Sequence, residues 1–391
     1  MNNKTWQRLV IASLITACVV LAIAIFVFGR PINIPPEDVF AENPTTTTEP
    51  IITTTSPPTT PQALDDPEDT LRWDDDNLVE PADPRPRSLL TGRPIDEEYL
   101  NRRPIAVVIN NIHDAQPQSG IASADIIYEV LAEGNITRLV AVFQSYMPEK
   151  IGPVRSARDY FIDMSFNHDA IFIHHGTSPT GRTRINNTRI TALDGMALEN
   201  SVFWRDRTYP EWHRNSGTRP MEHSSYVGWS RIENHMVSRN IRNYVNETHD
   251  FNFGILPPNL GINTANQITV PFSPTYVRSF VFDAETGLYM VEDLNGPHLD
   301  AADAAQVAVA NVLVQFTTIR VVDNEGRRNV QTVGEGSGYL ATDGVFVNVR
   351  WIKESHTSPM RWYFEDGSPI VLSPGSTWIN VLQTTGQVVF E

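Results

Sequence analysis

The pattern of apolar and polar positions changes character three times along the chain. Residues 9–28, LVIASLITACVVLAIAIFVF, form one uncharged and mostly apolar run, roughly the ~20 residues a helix needs to cross a bilayer. Residues 31–88 show no apolar periodicity. From about residue 92, short apolar runs return between turn residues: PIAVVINN (104–111), ADIIYEVLAEG (124–134), ITRLVAVFQ (136–144) and AIFIHHG (170–176). Runs of this length bounded by Gly, Asn and Pro predict buried strands. The second and third meet at Gly134-Asn135, a hairpin signal, although periodicity alone also allows a helix over 124–134. SARDYFIDMSFNH (156–168) places apolar residues at 157, 160, 161 and 164, a helical spacing, and SSYVGWSRIENHMV (224–237) reads as a second helix.

Beyond about residue 268 the chain is strand-like almost throughout. QITVPF, RSFVFD, GLYMVED, NVLVQFTTIRVVD, GVFVNVRWIK, RWYFED, PIVLS and TWINVL alternate with the turns DNEG, TDG, EDG and SPG. The elements together predict an α+β fold: a sandwich-like N-terminal α/β domain with a mixed sheet over 89–240, then a β-rich C-terminal domain over 265–391. One transmembrane segment (1–30) and a disordered linker (31–88) precede them.

The linker reading rests on composition. TTTTEPIITTTSPPTTP and DDPEDTLRWDDD cannot bury enough apolar surface to offset the entropy of ordering. Residues 31–88 hold thirteen acidic and three basic residues, about −10 of the chain's −16. The folded part is therefore only mildly acidic, and nucleic acid is not an expected partner. The single cysteine, Cys18, rules out an intrachain disulfide and a cysteine-based zinc site. Lys4 and Arg8 precede the apolar run and no acid does, so the positive-inside bias places everything after Arg30 outside the cytoplasm. Ile15-Thr16-Ala17-Cys18 also loosely fits a lipoprotein cleavage box, yet Val19–Phe28 stays apolar, as a retained signal anchor would.

The chemistry concentrates in KIGPVRSARDYFID (150–163). Ser156 suits a helix N-cap, with Asp159 three residues later as in a capping box. Arg155 then lies in the loop and Arg158 in the first turn. Free backbone N–H groups plus two guanidinium groups would hold an anion. An ion pair from Arg158 to Asp159 or to the hairpin would instead only fix the loop. The dyads Asn110-Asn111 and His174-His175 each end a strand, where ligands of open α/β sheets gather. Adjacent histidines on a strand point to opposite faces, so only one of the pair faces a site. His213 and His223, with Glu222, lie in a loop-rich stretch that could return to it. Asp125 stands at a strand start, and Glu129, inside an apolar strand, needs a partner, for which Arg138 across the hairpin is the candidate. The sequence carries no HExxH, no GxSxG and no phosphate-cradling GxxxxGK[ST]. No catalytic residue, metal ligand or cofactor is assigned; the ligand-binding set is Asn110, Asn111, Asp125, Arg155, Arg158, Asp159, His174 and His223.

RPIAVVINN, PQSGIASADIIYEVLAEGNITRLVAVFQ, EKIGPVRSARDYFID and AIFIHHGTSP, in this order, resemble the YerB-like family of bacterial envelope lipoproteins, catalogued as domain of unknown function 3048. GEGSGYLATDGVFVNVRWIK and DGSPIVLSPGSTWINV resemble its C-terminal part. The resemblance implies a two-part extracytoplasmic protein without an established reaction. Two departures stand out: RPMEHSSY occupies the family's Pro-His-Asn segment, around His223, and His175 stands where small residues are usual. A looser pattern, Asp125 at a strand start, a hairpin, then Arg155, Arg158 and Asp159, is similar to LytR–CpsA–Psr phosphotransferases, and implies magnesium and a lipid-linked pyrophosphate. The expectation is a membrane-anchored, outward-facing protein that binds an anionic or glycan-type ligand. A phosphotransferase on the same site, and a scaffold without ligand, are the alternatives.

Overall fold

The computed structural model describes residues 83–213, 217–246 and 251–391, all within one compact unit, 67–391. The apolar run 9–28, Cys18 and all but the last residues of the linker lie outside the described residues. Among the described residues no helix is long and apolar enough to cross a membrane. The architecture is mixed α/β, with few helices and a β-rich C-terminal part.

The N-terminal part supplies strands β1 (Ile105–Asn110), β2 (Ile126–Leu131), β3 (Thr137–Phe143), β4 (Ile171–His174) and β5 (Ala192–Asp194). Helices α1 (Asp159–Phe166), α2 (Pro179–Thr188) and α3 (Trp229–Ser238) lie among and after them. The C-terminal part adds β6 (Gln267–Ser273), β7 (Tyr276–Asp283), β8 (Leu288–Asp293), β9 (Asn311–Thr317), β10 (Gly334–Thr342), β11 (Val345–Lys353), β12 (Arg361–Phe364) and β13 (Thr377–Gln383).

One eleven-stranded sheet runs through both parts in the order β12-β11-β10-β9-β13-β2-β3-β1-β4-β5, with Asn263–Thr264 pairing β11. The junction is the parallel pair β2–β13, in register from Ile126↔Thr377 to Val130↔Val381. The 124–134 run is a strand, and it forms the expected hairpin with β3. Both faces of the sheet are covered at β1, β2, β3, β4, β9 and β13, which is why those strands read as largely unbroken apolar runs, whereas β11 and β12 at its far side alternate buried and exposed positions. Ile105, Val107 and Ile109 of β1 enter one core, Ala106 and Val108 the other.

Tyr160, Phe161, Ile162 and Met164 of α1 close the second core. The first is closed by a smaller antiparallel sheet built on β6, β7 and β8, together with Ile232 and Met236 of α3. The predicted TDG turn joins β10 to β11 with Asp343 and Gly344 both at positive φ, 50° and 74°. Two such residues give the twist a tight hairpin needs. A side chain on Gly344 would also collide with the Phe282 ring, 2.9 Å from its Cβ position.

Candidate functional site

The arginine motif is placed by the divergence of two strands. β1 and β4 pair in parallel from Ile105↔Ile171 to Val107↔Ile173, then separate. Residues 154–157 fill the gap: the Arg155 N–H donates to the Val108 carbonyl (2.8 Å), and the His175 N–H donates to the Arg155 carbonyl (3.1 Å). The Ala157 N–H donates to the Gly176 carbonyl at 2.9 Å. Arg155 is thereby fixed at the carboxyl ends of the parallel strands β1, β4 and β5, the expected ligand edge of an α/β sheet.

Around it stand His175, Arg205, Glu199, Glu222, His223 and Asn110. The Arg155 Nη1 donates to the Glu222 carbonyl at 3.0 Å, and Arg155 makes no salt bridge among the described residues. Burial lowers its pKa, and the like charge of Arg205 lowers it further, against the nearby Glu222. Arg205 Nη2 donates to His175 Nε2 at 3.0 Å while its Nε donates to Glu199 Oε1 at 2.8 Å. A guanidinium only donates, so His175 carries its proton on Nδ1 and passes it to Ser225 Oγ at 2.8 Å. Asn110 Nδ2 likewise donates to His223 Nδ1 at 2.7 Å. Burial holds the pKa of both histidines down, and Arg205 and Arg155 lower them further. The result is two imidazoles whose burial and cationic neighbours favour the neutral form, set beside two guanidinium groups.

The two predicted arginines have separate surroundings. The helix begins at Asp159 and its N-cap is the extended Arg158, not Ser156; Arg155 and Ala157 on either side of Ser156 hydrogen-bond to Val108 and Gly176, which keeps Ser156 out of the helix. A cation at a helix N-terminus is disfavoured by the helix dipole. Glu133, from the β2–β3 turn, offsets this with a salt bridge to Arg158, and also binds Arg138 at 3.0 Å. Asp159 faces α2, accepting from Thr180 Oγ1 at 3.2 Å.

Glu129 is paired with Arg278 on β7 rather than with Arg138. It accepts from Arg278 Nε (2.9 Å), Trp378 Nε1 (3.2 Å), Asn111 Nδ2 (3.0 Å) and Thr137 Oγ1 (2.7 Å). Asn111 therefore belongs to this buried network, while its neighbour Asn110 turns to His223. Asp125 is not part of the arginine site. It is buried at the amino end of β2, accepting from the Gln144 and Ser145 N–H groups at 2.5 and 2.9 Å, whereas Arg158 meets Glu133 beyond the carboxyl end of that strand.

Of the two adjacent histidines, His174, the last residue of β4, is buried against Phe172 and bonds the Gly176 carbonyl at 2.8 Å; burial lowers its pKa. His175 is the one that faces the cluster. The adjacency rule announced that only one would, but the ligand set expected from the sequence held His174; the structure puts His175 there instead, since His174 turns into the fold against Phe172. Arg205, Glu199 and Ser225 had no sequence signal, because the stretch between β5 and α3 is irregular. No group of three or more His, Cys, Asp or Glu side chains among the described residues is arranged to hold a metal ion.

A mixed sheet drawn from both halves of the chain, with a polar cluster at the carboxyl edge of its parallel strands, defines a two-segment α/β protein. Two family models match the chain: "Protein of unknown function (DUF3048) N-terminal domain" over residues 90–242 and "Protein of unknown function (DUF3048) C-terminal domain" over 268–379. The chain is 32% identical over 298 residues to "Putative lipoprotein YerB" of Bacillus subtilis (strain 168), covering 75% of this chain and 85% of that protein. A crystal structure of the YerB protein from Bacillus subtilis superimposes with a TM-score of 0.67 at 29% identity, covering 78% of this chain and all of that one. The chain belongs to the YerB-like DUF3048 family.

Proposed function

We propose that this is an extracytoplasmic envelope protein, held at the membrane by its N-terminal segment, which binds an anionic or glycan-type envelope ligand at the Arg155 cluster. One observation carries the reading: Arg155 is a half-buried cation that makes no salt bridge among the described residues, with Glu222 nearby only as an unpaired charge, next to Arg205, at the carboxyl edge of the parallel strands. A cation so placed gains from an anionic ligand what a salt bridge would otherwise supply. The apolar run 9–28 and the lipoprotein name of the Bacillus relative support the anchor.

Calorimetric titration of the full chain with inorganic pyrophosphate and with glucose 1-phosphate tests the ligand class. Binding of either is expected, weakened by about 1.5–3 kcal/mol in Arg155→Ala, the range for charged hydrogen bonds. No binding of either, or binding indifferent to Arg155→Ala, overturns it. Labelled palmitate incorporated by the wild type and lost in Cys18→Ala would identify a lipid anchor; a retained helix predicts no incorporation in either.

A further inference from the structure

Two guanidinium groups stand at the carboxyl edge of the parallel strands, and they differ in freedom. Arg155 Nη1 and Arg205 Nη1 donate to successive carbonyls, Glu222 at 3.0 Å and Met221 at 2.9 Å, which seats them side by side. That is the one side-chain hydrogen bond of Arg155 among the described residues. Arg205 is held on two further sides. Its Nε donates to Glu199 Oε1 at 2.8 Å, and its Nη2 to His175 Nε2 at 3.0 Å and Glu199 Oε2 at 3.5 Å.

His175 decides whether that hold lasts. Its Nε2, the atom that accepts from Arg205, lies 3.7 Å from Glu199 Oε2. The ring is pinned: Nδ1 bonds Ser225 Oγ at 2.8 Å, and the imidazole packs on Gly195, where any Cβ would collide with it. The charged and titratable groups that face it are Arg205, Glu199, Asp194 and His174. Asp194 is already bound by the Gly176 and Met196 N–H groups, and His174 stacks on Phe172. A proton on Nε2 ends its acceptance from Arg205 and makes it a donor toward Glu199. Two cations then contend for one carboxylate and repel each other. The pinned imidazole stays, and Arg205, on a long side chain that is 30% exposed, is the one that moves.

We propose, on the anion-binding reading given above, that His175 is a proton-operated latch on this site: neutral, it holds Arg205 against Glu199; protonated, it takes Glu199 itself and releases Arg205 to join Arg155 on the anion. Burial lowers the His175 pKa from its ordinary 6.5, Arg205 lowers it further, and Glu199 and Asp194 oppose them. The latch is therefore closed at pH 7.5 and opens on acidification below 6.5. An anion beside the released arginine favours the protonated ring, so binding takes up a proton. By reciprocity, affinity rises as pH falls.

Inorganic sulfate, which does not titrate in this range, is the probe. Calorimetric titration of the full chain in detergent at pH 7.5, 6.5 and 5.5 is expected to show affinity rising about ten-fold or more as pH falls, and less than about two-fold in His175→Gln. Glu199→Gln, which removes the contested charge, is expected to bind sulfate at pH 7.5 as tightly as the wild type does at pH 5.5. Nitrogen-15 NMR of the histidine- and arginine-labelled full chain, without ligand, reads the latch directly: the Arg205 Nε–H signal is expected to shift in step with the His175 ring. An Arg205 signal that stays in place while His175 titrates overturns the latch and leaves the anion site standing. So does a sulfate affinity that is flat with pH, or equally steep in the wild type and His175→Gln. Failure of both sulfate and pyrophosphate to bind at every pH overturns the anion reading, and the latch with it.

Discussion

Glu129 and Arg158 show how single residues here are decided by distant partners. Glu129 sits in the middle of an apolar strand and makes no contact with solvent. Every atom that reaches its carboxylate is a donor: Arg278, Trp378, Asn111 and Thr137. Glu129→Gln would turn an amide N–H toward those donors and strand the Arg278 guanidinium in the core. Removing one partner of such a pair typically costs about 3–5 kcal/mol. Urea denaturation of the variant is expected to show a loss of that size; a loss below about 1 kcal/mol would mean the pair is not buried as described. The sequence announced that Glu129 needed a partner, and the cross-strand rule pointed to Arg138. The rule failed because the register sets Arg138 opposite Val130 and so on the other face of the sheet from Glu129, where it meets Glu133 of the hairpin turn, and because the true partner lies 149 residues away. Arg158 met the alternative fate named for it, an ion pair to the hairpin.

At the scale of elements, most strands and two of the three longer helices were legible, since apolar runs and helical spacing act locally. The helix α2 was missed because its sequence, PTGRTRINNT, carries almost no apolar positions to set a period, and the helix read over 224–237 begins only at Trp229, with Ser225–Tyr226 forming a short strand. What joins them was not. Nothing near Ile126 or Thr377 says that β2 and β13 lie side by side, because a parallel pairing has no turn to mark it. The β11 strand illustrates a second non-local tie. Its last residue, Lys353, is buried and donates to Asn167 Oδ1, just past α1, at 2.6 Å, and to the Ser358 carbonyl. Burial pushes its pKa down from 10.5 to about 8, an effect Asp163 opposes and Arg184 reinforces. Between those two values the unfolded chain holds the proton that the folded one has released. Stability therefore rises as pH goes from about 8 towards 10.5, by at most about 3 kcal/mol from this group. Denaturation curves at pH 7.5, 9 and 10 are expected to show this rise in the wild type relative to Lys353→Met. Parallel pH profiles for the two proteins would show that Lys353 is charged in the fold throughout.

In the whole molecule, the two segments matched by the family models share one sheet, and the Glu129–Arg278 pair ties that sheet to the smaller one. The Arg155 cluster stands at its carboxyl edge, near the end where β1 and β4 diverge. The account's central claim is a division of labour between two arginines three residues apart: Arg158 with Glu133 holds the fold, and Arg155 holds a ligand. The most direct test measures binding of inorganic pyrophosphate or glucose 1-phosphate and thermal stability side by side in Arg155→Ala and Arg158→Ala. The account predicts that Arg155→Ala loses binding while keeping its Tm within a few degrees, and that Arg158→Ala lowers Tm more, because Glu133 loses one of its two guanidinium partners and keeps only Arg138. Equal losses of binding and Tm in both variants would contradict it and make the arginines a structural pair.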